Sequence, residues 1–504
     1  MKSQRKAGAL LTYLNIIANL IVGLVYTPIM LRLLGQAEYG LYSLLGSMVG
    51  YLSILDLGLG NTMVRYTAAN RANGDRTREA KLNGLFLCIY LVISLVAITA
   101  GFILYFNLDV MFGAKLTAEE LGKARAMTIL LIVNLAFTFP LSIFGSVIQA
   151  YERFVFLRLV NIIRTLINPC LVIPFLMMGY GSVMIVAVTT LLNLSCLLSN
   201  VWYCFKYLHI KFRIGHYSSA FIKEVSAYSF FIFLNAVMDK IYWGTGQFVL
   251  GITRGTVDVA IYAVAVQFLM MYMQFSTAIS GVLLPKVTMM VTNGASKYKL
   301  SVLFIKIGRL QFIVIGYILS SFVIFGQEFI SLWAGDNYSS AYPMIILLMG
   351  AMFIPLIQNA GIAILQAMRL NRYRMTVYSV VAFLDLFISF PLAYLWGGFG
   401  CAIGTSGALF ISTGIIMNRY YGHTIGLDIA KFWKEILNMA TGPALLLLVI
   451  IVFNYYFPAP YSWGHFIKFG VLYTLVYGTV LFVFSFNDYE KGLLKSLCLR
   501  LHVK

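Results

Sequence analysis

The residues with the most chemical potential stand side by side inside an apolar run. In Leu234-Asn235-Ala236-Val237-Met238-Asp239-Lys240 an amide, an acid and a base share a stretch, from about 225 to 252, long enough to cross a bilayer. A charge at that depth costs at least roughly 2.5–3.5 kcal/mol, so such groups either pair or line a polar path. Lys240 lies about 22 Å along the expected helix, near its middle. Neighbours on a helix do not face each other, so Asp239 is not its obligatory partner. Asp385 is central in a later run; it either pairs with Lys240 or binds a coupling proton or sodium ion. Asp56 stands near the end of its run, with Arg65 beyond it, and is either a helix-end charge or part of a polar path. Arg164 and Arg309 fall a turn or two inside theirs, where they either snorkel to headgroups or line a vestibule. Arg32 is the cation at the far end of the first run, an anchor or an outer contact. Asn15, Asn19 and Asn235 either line a path or join helices to one another.

Other chemistries are excluded. The chain has no GxxxxGK[ST] loop, and no GxSxG, HExxH or paired-carboxylate catalytic motif stands in an aqueous loop. None of the 6 cysteines forms a CxxC pair and the 5 histidines lie at no metal-ligand spacing, so neither cofactor nor metal is expected, and an enzyme is not.

The elements that hold these residues follow from composition. Of 504 residues 61% are hydrophobic and only 11% charged, with mean hydropathy +0.86. Soluble domains are about half apolar and about a quarter charged. The sequence therefore predicts an all-α polytopic membrane protein with about fourteen transmembrane helices. They fall at 10–31, 41–60, 82–107, 124–148, 157–178, 182–203, 225–252, 257–285, 302–326, 342–367, 376–396, 399–421, 438–458 and 466–486. The basic start, Met1–Lys6, leads into a retained first helix rather than a cleaved signal. The longest connections are expected around 61–81 and 205–224. The net charge of +19 is a matter of topology and not of nucleic-acid binding: most Lys and Arg fall at the N-terminus and on every second connection. That bias predicts a multi-pass protein of the cytoplasmic (inner) membrane with both termini cytoplasmic.

The chain also repeats itself. Leu14-Asn15-Ile16-Ile17-Ala18-Asn19-Leu20 echoes Leu234–Lys240 across 220 positions. At the same offset Glu38-Tyr39-Gly40-Leu41-Tyr42 meets Asp258-Val259-Ala260-Ile261-Tyr262, and Asn73-Gly74 meets Asn293-Gly294. Gln149-Ala150, Pro174 and Gly179-Tyr180-Gly181 match Gln366-Ala367, Pro391 and Gly398-Phe399-Gly400 at nearly the same spacing. The order argues for two parallel six-helix bundles, 1–203 and 225–421, related by a pseudo-two-fold axis. Two further helices (438–486) and a cytoplasmic tail (487–504) complete the chain. Such a pair of bundles suits alternating access. The echo aligns Asp239 with Asn19 and Lys240 with Leu20; if those helices face each other, the path between them is chemically lopsided at midplane.

The stretch Leu34-Gly35-Gln36-Ala37-Glu38-Tyr39-Gly40-Leu41-Tyr42, followed by Leu55-Asp56-Leu57-Gly58-Leu59-Gly60-Asn61 and Arg65-Tyr66, resembles the opening signature of bacterial polysaccharide repeat-unit flippases of the Wzx type. Their superfamily also holds the multidrug-and-toxin extruders and the lipid II flippases. Asp239-Lys240 resembles that family's acid–base pair in the seventh helix, and Ile261-Tyr262-Ala263-Val264-Ala265 and Leu332-Trp333-Ala334-Gly335 resemble its pattern. The resemblance covers nearly the whole chain. It implies export of a polyprenyl-diphosphate-linked oligosaccharide from the inner to the outer leaflet, for cell-surface polysaccharide synthesis. The implied partners are that lipid-linked oligosaccharide, membrane lipids, a polysaccharide polymerase and glycosyltransferases. The cavity candidates then become Lys240, Asp239, Asp385, Arg32, Asp56, Arg65, Arg164, Arg309, Asn15 and Asn235. A lipid II flippase or a drug or cation antiporter of the same superfamily is the alternative. A membrane polymerase or ligase is disfavoured by the short outer connections.

Overall fold

The protein is described from a computed structural model over residues 2–213, 215, 217, 219–368, 370–457 and 460–492. The helices are α1 (Lys2–Leu52), α2 (Leu59–Ala72), α3 (Arg76–Phe112), α4 (Ala118–Ala150), α5 (Phe154–Met177), α6 (Ser182–Tyr203), α7 (Ser219–Thr253), α8 (Thr256–Thr292), α9 (Lys297–Trp333), α10 (Ala341–Ile357), α11 (Asn359–Ala367), α12 (Asn371–Leu409), α13 (Asn418–Tyr420), α14 (Ile429–Tyr456) and α15 (Trp463–Val480). Among the described residues there is no strand. Among the described residues eleven helical stretches are long and apolar enough to cross a membrane, or twelve when the bent pair α10 and α11 counts as one span. Two of the eleven, Leu10–Ala72 with 63 residues and Asn371–Ile425 with 55, are far longer than one crossing needs. Each contains a glycine with non-helical backbone, Gly35 (φ 77°, ψ 173°) and Gly397 (φ 59°, ψ −139°). Counting each as two, and the bent pair as one span, gives the fourteen crossings read from hydropathy.

Four boundaries differ from the sequence reading. The expected second span, 41–60, is not continuous: α1 ends at Leu52, a 3₁₀ turn covers Ser53–Asp56, and α2 restarts at Leu59. The long connection expected over 61–81 is mostly helix, with only residues 73–75 between α2 and α3. Polar side chains there lowered the hydropathy while the helix simply continued past the apolar core. The tenth span bends by 44° between α10 and α11, three residues after Pro355, which removes a backbone donor. The twelfth runs beyond 421 through π-helical turns to Ile425.

The chain divides into two compact units, Met1–Ala263 with Asp385–Cys401, and 264–384 with the described residues from Ala402 on. The first unit has a core of Met63, Leu82, Phe86, Tyr90, Ile143 and Val147, all fully buried. Near its middle, Ser94 Oγ donates to the Ala136 carbonyl at 2.7 Å and ties α3 to α4. In the second unit α9 is the spine. Phe268 packs edge-on against Trp333, and Tyr473 Oη donates to Ser320 Oγ at 2.7 Å, docking α15 on α9.

The internal repeat is written in backbone as well as sequence. Gly35 (φ 77°) matches Gly255 (φ 102°), and Gly74 (φ 70°) matches Gly294 (φ 68°), each at the 220-residue offset. Both pairs sit in the left-handed region that a side chain disfavours, at the start and at the end of the second helix of each half. The helices that follow the second pair, α3 and α9, are both 37 residues long. Glu38 and Asp258 are also equivalent. Glu38 Oε2 accepts from the Ser182 amide at 2.9 Å and leaves no room for a side chain on Gly181. A Cβ on Gly397 would lie 2.8 Å from Asp258 Oδ2. In each half an acid on the second helix meets the glycine turn between the fifth and sixth.

Candidate functional site

The first unit holds a polar strip halfway along three helices. Arg164 lies near the middle of α5, Asn193 near the middle of α6 and Asn134 near the middle of α4. Arg164 Nη1 donates to Asn193 Oδ1 at 2.9 Å. Asn193 Nδ2 donates in turn to Asn134 Oδ1 at 2.7 Å and Thr138 Oγ1 at 2.9 Å. Thr189 Oγ1 donates to Asn168 Oδ1 at 3.4 Å beside them. The amides are half-buried, whereas Arg164 is exposed on the surface of the unit. The sequence reading placed Arg164 a turn or two inside its helix, either snorkelling to headgroups or lining a vestibule. The depth is greater: α5 begins at Phe154, so the residue is about 15 Å along it, and its guanidinium reaches Asn193. Asn134, Thr138 and Asn193 were missed, although the signal was present: amides in the middle of apolar helices cost free energy unless they find partners.

Lys240 occupies a second polar place in the same unit. α7 packs along the second half of α1. Gly251 leaves no room for a side chain against Leu44, and Tyr51 and Thr245 share a hydroxyl hydrogen bond of 2.6 Å. A Cβ on Gly50 would lie 3.1 Å from Lys240 Nζ. Lys240 therefore stands over residue 50 of α1. Repeat equivalence sets a shared position in each half, and the packing partner is chosen by side-chain fit. Lys240 is half-buried and Asp239 exposed. Asn235 is half-buried on the same helix. On α1, Asn19 Nδ2 donates to the Asn15 carbonyl at 2.8 Å, while Asn15 Oδ1 is buried with no hydrogen-bond partner.

The remaining candidates separate. Asp56 closes the 3₁₀ turn; it accepts from Tyr90 Oη at 2.8 Å and from the amides of Gly58 and Gly60, so it caps α2. Asp385 is buried and accepts from Ser389 Oγ at 2.7 Å, one turn along α12. Arg32 and Arg65 are exposed, the first three residues before the Gly35 kink, the second 5.7 Å from the Tyr66 ring.

Arg309 belongs to the second unit and is a different kind of group from the one expected. It is 4% exposed. Its guanidinium donates to Glu490 at 2.7 and 2.8 Å, to Glu435 Oε2 at 2.9 Å and to the Ser485 carbonyl at 2.8 Å. Neither snorkelling nor a vestibule describes it. The helices outside the repeat supply two carboxylates that sequence distance hid, and together they clamp α14 and the chain after α15 onto α9.

Twice-repeated six-helix bundles, with cations and amides held halfway along the helices, define a class: the multi-pass membrane carriers. More narrowly, the chain belongs to the polysaccharide biosynthesis protein family, which matches residues 6–291. A Shigella flexneri protein with the provisional name O-antigen transporter is 22% identical over 330 residues, covering 64% of this chain and 75% of that protein. The fold is shared with solved exporters. A lipid II flippase, MurJ, in an inward closed conformation superposes with a TM-score of 0.72 over 97% of this chain and 99% of that one, at 15% identity. An inward-facing multidrug resistance MATE family transporter of the MOP superfamily gives 0.65 over 83% and 99%, at 13% identity.

Proposed function

We propose that the protein is a flippase that moves a polyprenyl-diphosphate-linked oligosaccharide from the inner to the outer leaflet of the cytoplasmic membrane by alternating access, with both termini cytoplasmic. One observation carries this reading: Arg164, exposed, is held mid-helix by a chain of amides. Guanidinium and amides recognise phosphate and sugar hydroxyls, whereas an exporter of organic cations needs acidic groups there. The family membership and the O-antigen relative support the same substrate class. Lys240 is the second cation of the path, and Asp385 is the group for a coupling proton or sodium ion. Glycosyltransferases supply the substrate and a polymerase consumes it. With the cytoplasm negative, carrying one net negative charge outward gains about 2.3 kcal/mol per 100 mV.

The test is a deletion strain. Loss of the gene should remove surface polysaccharide and accumulate the lipid-linked oligosaccharide on the inner leaflet. Complementation with Lys240→Ala or Arg164→Gln should fail at normal membrane abundance, and Lys240→Arg should restore part of the export. Full export by both loss-of-charge variants would sink the assignment. Lethality of the deletion would point to lipid II instead.

A further inference from the structure

The break between α1 and α2 opens a cavity that the polar path does not use. Leu57 (φ 51°, ψ 18°) and Gly58 (φ 69°, ψ 16°) both take the left-handed conformation, and Ile232 of α7 fills the space a side chain on Gly58 would need. A non-glycine residue held there stores roughly 1–3 kcal/mol, so neighbouring structure must fix it. Asp56 does so, by accepting from Tyr90 and from the two amides beyond the turn. Beside the break lies a cavity of about 320 Å³. Leu57, Leu59, Leu85, Ile89, Val225 and Phe233 line most of it. Its two hydroxyls are Ser226 and Ser229, and Ser229 Oγ shares a 2.8 Å hydrogen bond with Thr62 Oγ1. The volume is at the lower end of the range for small-molecule sites, room for one chain.

The surroundings grade from apolar to cationic. Leu85 and Ile89 are about 13 and 19 Å from the start of α3, at hydrocarbon depth on the side of the basic loops. Above them the rings of Tyr66 and Phe221 meet edge-on at 5.2 Å, and Tyr217 stacks on Phe221 at 4.8 Å. Aromatic groups of this kind settle at the headgroup level. Lys81 is one turn above Leu85 on the lining face of α3, and Arg78 a turn beyond it; both are exposed. Two carboxylates lie nearby: Glu224 accepts from Tyr66 Oη at 2.8 Å, and Asp75 Oδ1 accepts from the Arg78 amide at 2.8 Å.

Resting on the flippase reading, we infer that this cavity is the docking site for the head-proximal hydrocarbon of the lipid carrier, with its diphosphate at Lys81 and Arg78. The order of hydrocarbon, aromatic girdle and cations matches the order of chain, interface and phosphate in an anionic isoprenoid lipid. It lies on the side where the substrate is made, so it serves as an entry site, separate from the Arg164 strip.

The experiment uses the full chain in phosphatidylcholine vesicles and a polyprenyl diphosphate bearing a diazirine on the isoprene unit next to the diphosphate. Photolabel should fall on the peptides carrying residues 85–89 and 222–233. Excess unlabelled polyprenyl diphosphate should displace it, and phosphatidylglycerol at the same concentration should not. Ile89→Trp fills the cavity and should reduce labelling at least tenfold, with Ile89→Leu as the folded control; Lys81→Glu should weaken labelling without closing the cavity. Label elsewhere, or equal displacement by phosphatidylglycerol, overturns the site. Flipping by the wild type is measured in the same vesicles. A chain that flips but labels elsewhere loses only this inference, whereas one that never flips the oligosaccharide loses the function itself.

Discussion

The carbonyl oxygen of Thr256 stands where a side chain on residue 40 would begin, so α1 and the start of α8 meet there backbone to backbone. Thr256 Oγ1 also donates to Glu120 Oε1 at 2.7 Å, and Glu120 closes a capping box with Thr117 at the head of α4. A Cβ on the neighbouring Gly255 would lie 3.3 Å from the Lys115 carbonyl. These contacts lie at the end away from the basic loops.

The contact is tight enough for stability and export to depend on it. Gly40→Ala forces the backbones apart, and overpacking of this kind costs about 1–3 kcal/mol. The variant should unfold at lower temperature in detergent and complement export poorly. Thr256→Val removes only the hydrogen bond to Glu120, worth about 1 kcal/mol, and should keep most export. A Gly40→Ala protein with wild-type melting and export would show that the approach is not tight.

Arg309 should matter for folding and not for recognition. Removing it leaves Glu490, 3% exposed, as an uncompensated buried charge. Arg309→Met is therefore expected to cost about 3–5 kcal/mol, and adding Glu490→Leu should recover much of it. Membrane abundance and thermal unfolding read the effect, and export should track them. A stable Arg309→Lys protein without export would return this residue to the path.

The equivalent turns offer a matched pair. Gly74 and Gly294 have φ of 70° and 68°, with no atom near the Cβ position of either. Alanine there meets no clash, only the left-handed penalty of roughly 1–2 kcal/mol. Gly74→Ala and Gly294→Ala should destabilise by similar amounts, and Gly74→Asn by less. Unequal losses in chemical unfolding would show that the two turns are not equivalent.

Much of this architecture was legible because a bilayer leaves few choices. Apolar runs near twenty residues mark crossings, and the alternation of basic loops checks their number. The repeat was legible too, since glycines that turn the backbone cannot drift. The break after Leu52 was not, because Ser53–Gly58 is as apolar as a helix and only its left-handed residues betray it. Nor was the fate of single charges. Arg164 and Arg309 look alike in sequence, yet one has an amide partner 29 residues on and the other a carboxylate 181 residues on. Such distant partners have no local signal.

That contrast gives the sharpest test of the strip. If Arg164 acts on substrate through its charge, its geometry and its charge must be separable. Asn193→Asp keeps the acceptor that holds the guanidinium and adds a carboxylate against it. The hydrogen bond to Arg164 becomes charge-assisted and stronger, while the two bonds that Asn193 Nδ2 donates to Asn134 and Thr138 are lost; the two effects oppose, so stability should stay within about 1–3 kcal/mol of the wild type. The cation is cancelled, however, so export should fall at least tenfold. Asn193→Leu removes the acceptor and leaves the charge free to move; stability should drop by about 1–3 kcal/mol through the lost bonds to Asn134 and Thr138, while part of the export survives. Thr138→Val deletes two bonds of the strip, the one from Asn193 and the one to Asn134, touches no charge, and should export normally. Thermal unfolding and surface polysaccharide are measured together for the three variants. An Asn193→Asp protein that exports at the wild-type level would show that the Arg164 charge is not what the substrate reads.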